Sequence, residues 1–584
     1  VLEGHIGCAE MECRTGFLKV RPFLTVAYGY KWWHVAPVSF GVRSHVVRML
    51  SPSEAVGRPV MESLGCHVEG IVPPVPDVFS PSTTYHGCLA RLLRDTPKPR
   101  HRLLMGLRSF VRWFLKKFMT PLGTPKTDSL FLKDLPHGAG FKHWVETRQS
   151  FSRRKKNHLF DYWMSKNWSR LLATKSGRVK AFAKLETYPG LKPQRVIRGR
   201  TDAYKCWVGP VIAAIEEVLY KLPFFIKHVP VDQRAKYICE HLSGPGRWFC
   251  ETDFTCFEGT ITKLMMDVCE MELVRYMTSL MPQLREWFIC FKKITTGKIH
   301  SCFRSFEFIG DASRCSGDMH TSLGNGWTNL MVMLYYMDSV WGIPPDKAAF
   351  VVEGDDGLSA WPSDMKPDTQ IHEGLGLILK MIPHKEISDA GFCGMVLNPD
   401  TLTMLSDPYK RLATFGTHLA RTYGLSRKLR LSLLRAKALS FGWMYQRCPV
   451  ITSLAKYGLR VTEGSGVNPW LALRSSPDKY WLAEIYAESF KFGVAQIIEG
   501  MTVDESSRCI VERKFGMSVT QQLMVESYLD KLNDIRPLEL NWVYANMPQY
   551  SKEVWYDVRK WSDNGIRTFN RYLRDMQLDE VRGH

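Results

Sequence analysis

The sequence predicts an α+β fold, on three observations. Ala349–Trp361 (AFVVEGDDGLSAW) reads as a buried hairpin, because apolar residues fill Phe350–Val352 and return at Leu358 and Trp361 around a polar, glycine-flanked quartet. Arg247–Thr260 (RWFCETDFTCFEGT) reads as an apolar strand that delivers Asp253 at its end, then a turn holding Glu258 and a helical stretch to about Thr278. Helical patterning dominates elsewhere. Trp327–Ile343 contains Asn329 and Asp338 and is short for a bilayer span, so it is a core helix, and the text turns helical again from about Thr401 to the end.

Composition bounds the function. The 584 residues are 45% hydrophobic and 23% charged, which excludes a mainly disordered chain and allows roughly three or four folding units. A formal net charge of +20 points to a polyanionic partner, either nucleic acid or an anionic membrane surface. The 15 cysteines are scattered singly, with no CxxC pair, so neither a disulfide framework nor a zinc site is indicated and a reducing compartment fits. Cys8 and Cys13 lie near one another but have no matching His/Cys pair. A start at Val1 without a signal-peptide pattern suggests a piece cut from a longer product or an incomplete reading frame. There is no internal repeat and no GxxxxGK[ST] phosphate loop.

Taken in order, Ile71–Gly87 is rich in Pro and reads as a connector. His101–Met119 spaces Leu103, Leu107, Phe110, Phe114 and Phe118 as one helix face, with Arg108, Arg112 and Lys116 on another; a helix packed on the protein is preferred to one lying on a membrane. Arg153, Arg154, Lys155 and Lys156 form a basic run suited to RNA phosphates, with a solvated charge run as the alternative. Beyond it, Lys180, Lys184, Lys192, Arg195, Arg198 and Arg200 alternate with apolar residues. Short strands separated by a turn at Pro189 and Gly190 would point several of these cations to one side, where a triphosphate could sit.

Two adjacent carboxylates on a tight turn repel each other unless a cation or a basic neighbour compensates, and Mg²⁺ is the ligand such a pair suits. Asp355 and Asp356 therefore form the candidate site, with Asp253 as its natural second contributor. Between the strand and the hairpin, Ser316, Gly317 and Asp318 lie in a polar loop, and Thr321, Asn325 and Asn329 recur every four residues on one face of the helix that follows. Capping and interhelix hydrogen bonds explain Ser316 and Asp318, but less easily Asn325. After the hairpin come a helix ending near Lys380, a turn, and a strand pair around Phe392–Val396.

In order, these segments resemble the motifs of RNA-dependent RNA polymerases from positive-strand RNA viruses, nearest in pattern to the tombusvirus- and nodavirus-like group. KLE…PQRVIRGR is similar to motif F, TDFTCFE to motif A, SGDMHTSLGNGWTN to motif B, EGDDG to motif C, the Lys380 segment to motif D and GFCGMV to motif E. The resemblance implies a right-hand fold of fingers, palm with antiparallel sheet, and helical thumb, preceded by an N-terminal extension. It divides the chain into 1–145 (extension and fingertips), 146–246 (fingers, motif F), 247–260 (palm, motif A), 261–300 (fingers/palm insertion), 301–400 (palm, motifs B to E) and 401–584 (helical thumb and C-terminal region).

The resemblance also implies roles. Asp253 and Asp355, with Asp356 adjacent, would hold two Mg²⁺ ions, for which Mn²⁺ is the substitute. Lys184, Arg195 and Arg200 match triphosphate-contacting positions, and Arg198 lies among them. Lys380 matches a general acid for pyrophosphate, with Lys385 as rival. Ser316, Thr321 and Asn325 match positions that read the ribose 2′-hydroxyl together with the second acidic residue of motif A. That residue is Glu258 here, where most relatives carry Asp. The implied partners are RNA template and product, nucleoside triphosphates, other viral replication proteins and host membranes; the implied place is host cytoplasm, at membrane-associated replication sites. Two other readings compete. A reverse transcriptase carries an aromatic residue near the Glu258 position, and a non-enzymatic RNA-binding viral protein explains the charge but not the ordered carboxylates.

Overall fold

This computed structural model describes residues 42–43, 45–50, 60–71, 81–123, 139–148, 151, 153–165, 178–187, 193–244, 246–279, 284–420, 426–467 and 493–547, and the backbone of three short strands before them. Those three are Leu18–Val20 (β1) and the hairpin Thr25–Tyr28 (β2) with Lys31–His34 (β3). His45–Met49 (β4), Val60–Ser63 (β5), Arg178–Ala183 (β6), Val196–Arg200 (β7), Arg247–Phe254 (β8), Ile299–Cys302 (β9) and Phe306–Gly310 (β10) follow. A six-stranded sheet has the order β1-β4-β10-β9-β6-β7, antiparallel throughout except where β6 runs parallel to β9.

The sheet that matters for function has four strands. Ala349–Glu353 (β11) and Asp356–Pro362 (β12) form the expected hairpin, β12 pairs with β8, and Leu379–His384 (β13) closes the other side of β8. All three pairings are antiparallel. β11 is apolar without alternation because both of its faces are covered. Phe350 and Val352 join a core built with the helices Asp202–Leu219, Glu270–Ser279 and Thr321–Trp341, while Ala349 and Val351 pack with Leu358, Ile238 and Leu242 on the opposite side. Trp327 and Trp361 are fully buried in the first of these cores. Helix Thr321–Trp341 ends where Gly342 takes φ +63° and its N–H caps the Asp338 carbonyl.

Three further strands, Gly391–Phe392 (β14), Met395–Asn398 (β15) and Thr403–Leu405 (β16), make a small sheet, and Thr417–Ala420 (β17) pairs with β5. The helical patterning expected from Thr401 is thus interrupted twice before the helices Arg427–Met444, Ile451–Val461, Glu505–Phe515 and Val519–Lys531 build the last core. Leu64, Cys66, Val68 and Ile71 are buried in that same core, and Val68 bridges to Leu538. The segment around residues 42–71 therefore stitches two sheets and the C-terminal helices together.

Other expectations change. Helix Pro81–Arg91 begins inside the stretch read as a connector, with Pro81 at its first position, where a missing N–H costs nothing. In helix His101–Phe114 the basic face is not merely wet: Arg108 and Arg112 bond the Glu272 carboxylate at 2.7 and 2.9 Å, and Glu272 is buried. The cations of β6 and β7 do not share one side, because Lys180 faces out while Arg198 and Arg200 face in. Cys8, Cys13, the turn at Pro189 and Gly190, Lys192, and positions 468–492 and 548–584 lie outside the described residues. No described helix is long and apolar enough to cross a membrane, and the cysteines among the described residues are all free thiols.

Candidate active site

The register of the four-stranded sheet assembles the site. Thr252 on β8 pairs with Gly357 on β12, and its Oγ1 donates to the Gly357 carbonyl at 3.1 Å. Asp253 and Asp356 are the next residues of these two strands, just past the last pair of that ladder. On the other side of β8, Asp253 is directly opposite Lys380. Side chains directly opposite in an antiparallel pair lie on one face, so Lys380, Asp253 and Asp356 form a row across β13, β8 and β12. The sequence expectation that Lys380 ends a helix is corrected here: it is an exposed residue near the start of a strand, recruited by the open edge of β8.

Asp355 sits in the two-residue turn of the hairpin, after Gly354. Gly354 has φ +66°, the conformation that a side chain resists and that a tight hairpin turn needs at its first central position. Gly357 is required for a different reason, since a Cβ there would lie 2.6 Å from Thr252 Oγ1 and 2.9 Å from the Phe350 ring. Buried Asn329 reaches the turn from helix Thr321–Trp341, and its Nδ2 donates to the carbonyls of Gly354 and Asp356, each at 3.3 Å. Asn329 was visible in the sequence as the last member of a polar stripe, but the stripe alone did not reveal that it clamps the turn.

The electrostatics are those of a site short of positive charge. Asp355 and Asp356 keep exposed surface but are ringed by protein, so they occupy a recess open on one side. Loss of water pushes Asp356 up to about 7, reinforced by the neighbouring Asp355, Glu353 and Asp253. Asp355 is also raised, by desolvation and by Glu258, with Arg195 and Arg91 pulling the other way. Several oxygen donors forced together in this way fit a hard divalent cation, which relieves the repulsion that the fold imposes.

Glu258, in the short helix Phe257–Thr260, is held by a residue that carries no signal of its own in the sequence. Arg91 Nε lies 2.8 Å from Glu258 Oε1, although the two are 167 positions apart in the chain. The end of helix Pro81–Arg91 rests on the motif A turn so closely that a Cβ on Gly259 would stand 2.2 Å from the Arg91 carbonyl.

The remaining site candidates separate into surface groups and buried braces. Lys184 is partly exposed and Arg195 half-exposed, and both pair with Glu186, at 2.7 and 3.7 Å. Arg198 is buried and donates to Ser313 Oγ at 2.7 Å and to the Arg314 carbonyl at 2.8 Å. Arg200 is buried against Asp318 at 2.9 Å, with its guanidinium 5.0 Å from the Tyr204 ring. The structure therefore does not bring these two arginines to the surface beside Arg195; their donors brace the loop before helix Thr321–Trp341. Ser316 Oγ donates to the Val196 carbonyl at 3.3 Å, and Thr321 Oγ1 to the carbonyls of Cys315 and Asp318 at 2.7 and 2.9 Å. Asn325 differs: its Oδ1 is buried without a hydrogen-bond partner among the described residues. An orphaned acceptor of this kind is costly unless a ligand supplies the donor.

Lys385, the rival of Lys380, lies past the end of β13 and lines a separate hollow with Arg247, Trp248 and Phe249 at the opposite end of β8 from Asp253. In the basic run, Arg153 and Arg154 are exposed, whereas Lys155 bonds Asp202 at 2.6 Å and Lys156 donates to the Glu146 carbonyl at 2.5 Å. A second group of ligand-type side chains, His300, Cys302 and Glu307, has its donor atoms within 4.8 Å of one another. Two guanidinium groups attend it, Arg178 donating to Cys302 Sγ at 2.9 Å and both Arg48 and Arg178 standing 3.6 Å from Glu307. Their charge makes this a poor place for a cation.

The family model described as RNA dependent RNA polymerase matches residues 203–439. That span contains β8, the Asp355 hairpin, helix Thr321–Trp341, β13 and the small sheet that follows. The chain is an RNA-dependent RNA polymerase. No curated protein matches it. The polymerase is a nucleotidyltransferase of viral RNA replication, with an RNA template and nucleotides as substrates. Every residue in the carboxylate row belongs to the matched span, whereas Arg91, the basic run, Lys184, Arg195, Arg198 and Arg200 precede it.

Proposed function

We propose that this polymerase copies a positive-strand RNA genome by nucleotidyl transfer at Asp253 and Asp355, in a right-hand arrangement like that of the tombusvirus- and nodavirus-like group. The observation that carries the reading is the convergence of Asp253 with Asp355 and Asp356 from two adjacent strands onto one recess. Asp253, Asp355 and Asp356 would hold two divalent cations, Mg²⁺ or Mn²⁺, whose chemistry when bound would be to lower the pKa of the primer 3′-hydroxyl and to neutralise charge on the departing pyrophosphate.

The chain's own residues do the rest. Asp253 and Asp355 orient the reacting ends, and Asn329 fixes the turn that carries Asp355. Lys380, on the same face of the sheet as Asp253, gives a proton to the leaving pyrophosphate. Arg195 and Lys184 meet the triphosphate, while Arg198 and Arg200 keep the Ser316 loop rigid beneath it. Asn325 reads the ribose, and Glu258, carboxylate rather than aromatic and held by Arg91, favours a ribonucleotide over the reverse-transcriptase reading. Arg153 and Arg154 guide RNA, and replication takes place in host cytoplasm with other replication proteins at membranes.

The test is template-directed incorporation by Asp355→Asn and Asp253→Asn. Both variants should fold, keep most RNA affinity and lose incorporation by several orders of magnitude. Incorporation near the wild-type rate by either one removes the assignment.

A further inference from the structure

Glu258 stands on a turn with little hold of its own. Helix Phe257–Thr260 is a single turn, and Cys256 before it takes φ +53°, a left-handed conformation that presses Cβ on the following carbonyl. Contacts from distant parts of the chain fix it instead. The Arg314 N–H donates to the Glu258 carbonyl at 2.9 Å, from the loop before helix Thr321–Trp341. Others come from residues 42–94, ahead of the span that the family model matches. Cys256 Sγ lies 3.5 Å from the Ala90 carbonyl, Arg91 holds the Glu258 carboxylate, and Gly259 packs against the Arg91 carbonyl with no room for a side chain.

Arg43 spans this junction. Its N–H donates to the Leu93 carbonyl at 2.7 Å, and the neighbouring Val42 bridges to Arg94, so its backbone is anchored beside the end of helix Pro81–Arg91. From there its Nη2 donates to the Leu92 carbonyl and, at 3.1 Å, to the Gly259 carbonyl. One oxygen belongs to the residue after Arg91 and the other to the residue after Glu258. A planar guanidinium suits two fixed acceptors, whereas an ammonium is a point charge on a flexible stem. The same group thus sets how the helix end and the turn lie against each other, and with them the two partners of the 2.8 Å ion pair.

We propose that Arg43 is a positioning residue for sugar selection, fixing the turn of Glu258 against the helix end of Arg91 so that the Glu258 carboxylate keeps one orientation toward a ribose 2′-hydroxyl. This rests on the reading of Glu258 as a ribose-sensing residue. The role is indirect, through the backbone of Gly259, and Arg43 touches neither nucleotide nor cation.

The full chain is tested as Arg43→Ala, Arg43→Lys, Glu258→Ala and the double variant Arg43→Ala with Glu258→Ala. Single-nucleotide kcat and KM are measured for a ribonucleotide and its 2′-deoxy counterpart, beside a melt of each protein. Arg43→Ala should narrow the ratio of ribonucleotide to deoxynucleotide efficiency about fivefold, because a displaced turn weakens the ion pair without removing it. The loss should fall on the ribonucleotide; a merely structural fault lowers both efficiencies alike and leaves the ratio unmoved. Arg43→Lys keeps the charge but not the fork, and should narrow the ratio about twofold. In the double variant Arg43→Ala should add nothing to Glu258→Ala, since it acts through that residue. A wild-type ratio in Arg43→Ala, or in Arg43→Lys where the alanine variant does not fold, overturns the proposal, as does an additive loss in the double variant. Glu258→Ala separates the two failures: if it keeps the wild-type ratio the ribose reading itself falls, and if it alone narrows the ratio only the role of Arg43 falls.

Discussion

Arg91 and Glu258 form a half-buried ion pair of 2.8 Å that joins the end of helix Pro81–Arg91 to the turn after β8. If Glu258 reads the ribose as proposed, it does so with its arginine, and Arg91 belongs to the same proposal. Arg91→Ala and Glu258→Ala should each narrow the ratio of ribonucleotide to deoxynucleotide efficiency by about tenfold, near the lower end for a charge-assisted hydrogen bond. The double variant should be little worse than either single one, because the two residues act as a unit. Single-nucleotide kinetics on all three would decide it, and additive losses would show that Arg91 and Glu258 contribute separately.

What the sequence made legible and what it hid have physical causes. Asp253, Asp355 and Asp356 stood out because polar residues at strand ends and turns interrupt apolar text, a local signal. Arg91 gave none, since its meaning comes from a contact 167 positions away. The alternation around Arg198 and Arg200 was correctly periodic, but the face was assigned by charge; buried acceptors at Asp318 and Ser313 reversed it. The Lys380 segment has the residues of either a helix end or a strand, and the unpaired edge of β8 settled the matter.

The recess makes a stability prediction. Asp356 in the folded protein titrates near 7, well above an unfolded carboxyl, so its contribution is fully present below about pH 4 and is lost as pH rises through about 7. Without a divalent cation the protein should therefore melt lower at pH 8 than at pH 5. Screening in an open recess trims the effect to about 1 kcal/mol, on the order of 2 °C. Asp356→Asn should raise the metal-free melting temperature at pH 8, and Mg²⁺ should stabilise the wild type more than the variant. Identical melting of the two proteins in EDTA at both pH values would contradict this.

Exposed and buried arginines of the same stretch should fail in different ways. Arg195→Ala should raise the KM for nucleotide severalfold with little change in melting, because its side chain is half in water. Arg200→Ala strips the partner from buried Asp318 and should cost about 3–5 kcal/mol of stability. If Arg200→Ala melts like the wild type and only the nucleotide KM rises, the buried pair is not a brace and Arg200 reaches the substrate.

The basic run divides in the same manner. Arg153 and Arg154 are exposed, whereas Lys155 is bonded to Asp202 and Lys156 to the Glu146 carbonyl. If the exposed pair meets RNA phosphates, Arg153→Ala with Arg154→Ala should weaken binding for every RNA sequence and flatten its salt dependence, by about one unit of slope per lost contact. Lys155→Ala should behave differently: it removes a partner of Asp202 at the start of helix Asp202–Leu219, so melting should fall while the salt slope changes little. Binding measured by fluorescence anisotropy across a salt series, beside a melt of each variant, separates the two roles. An unchanged slope in the double arginine variant would leave the run as a solvated surface.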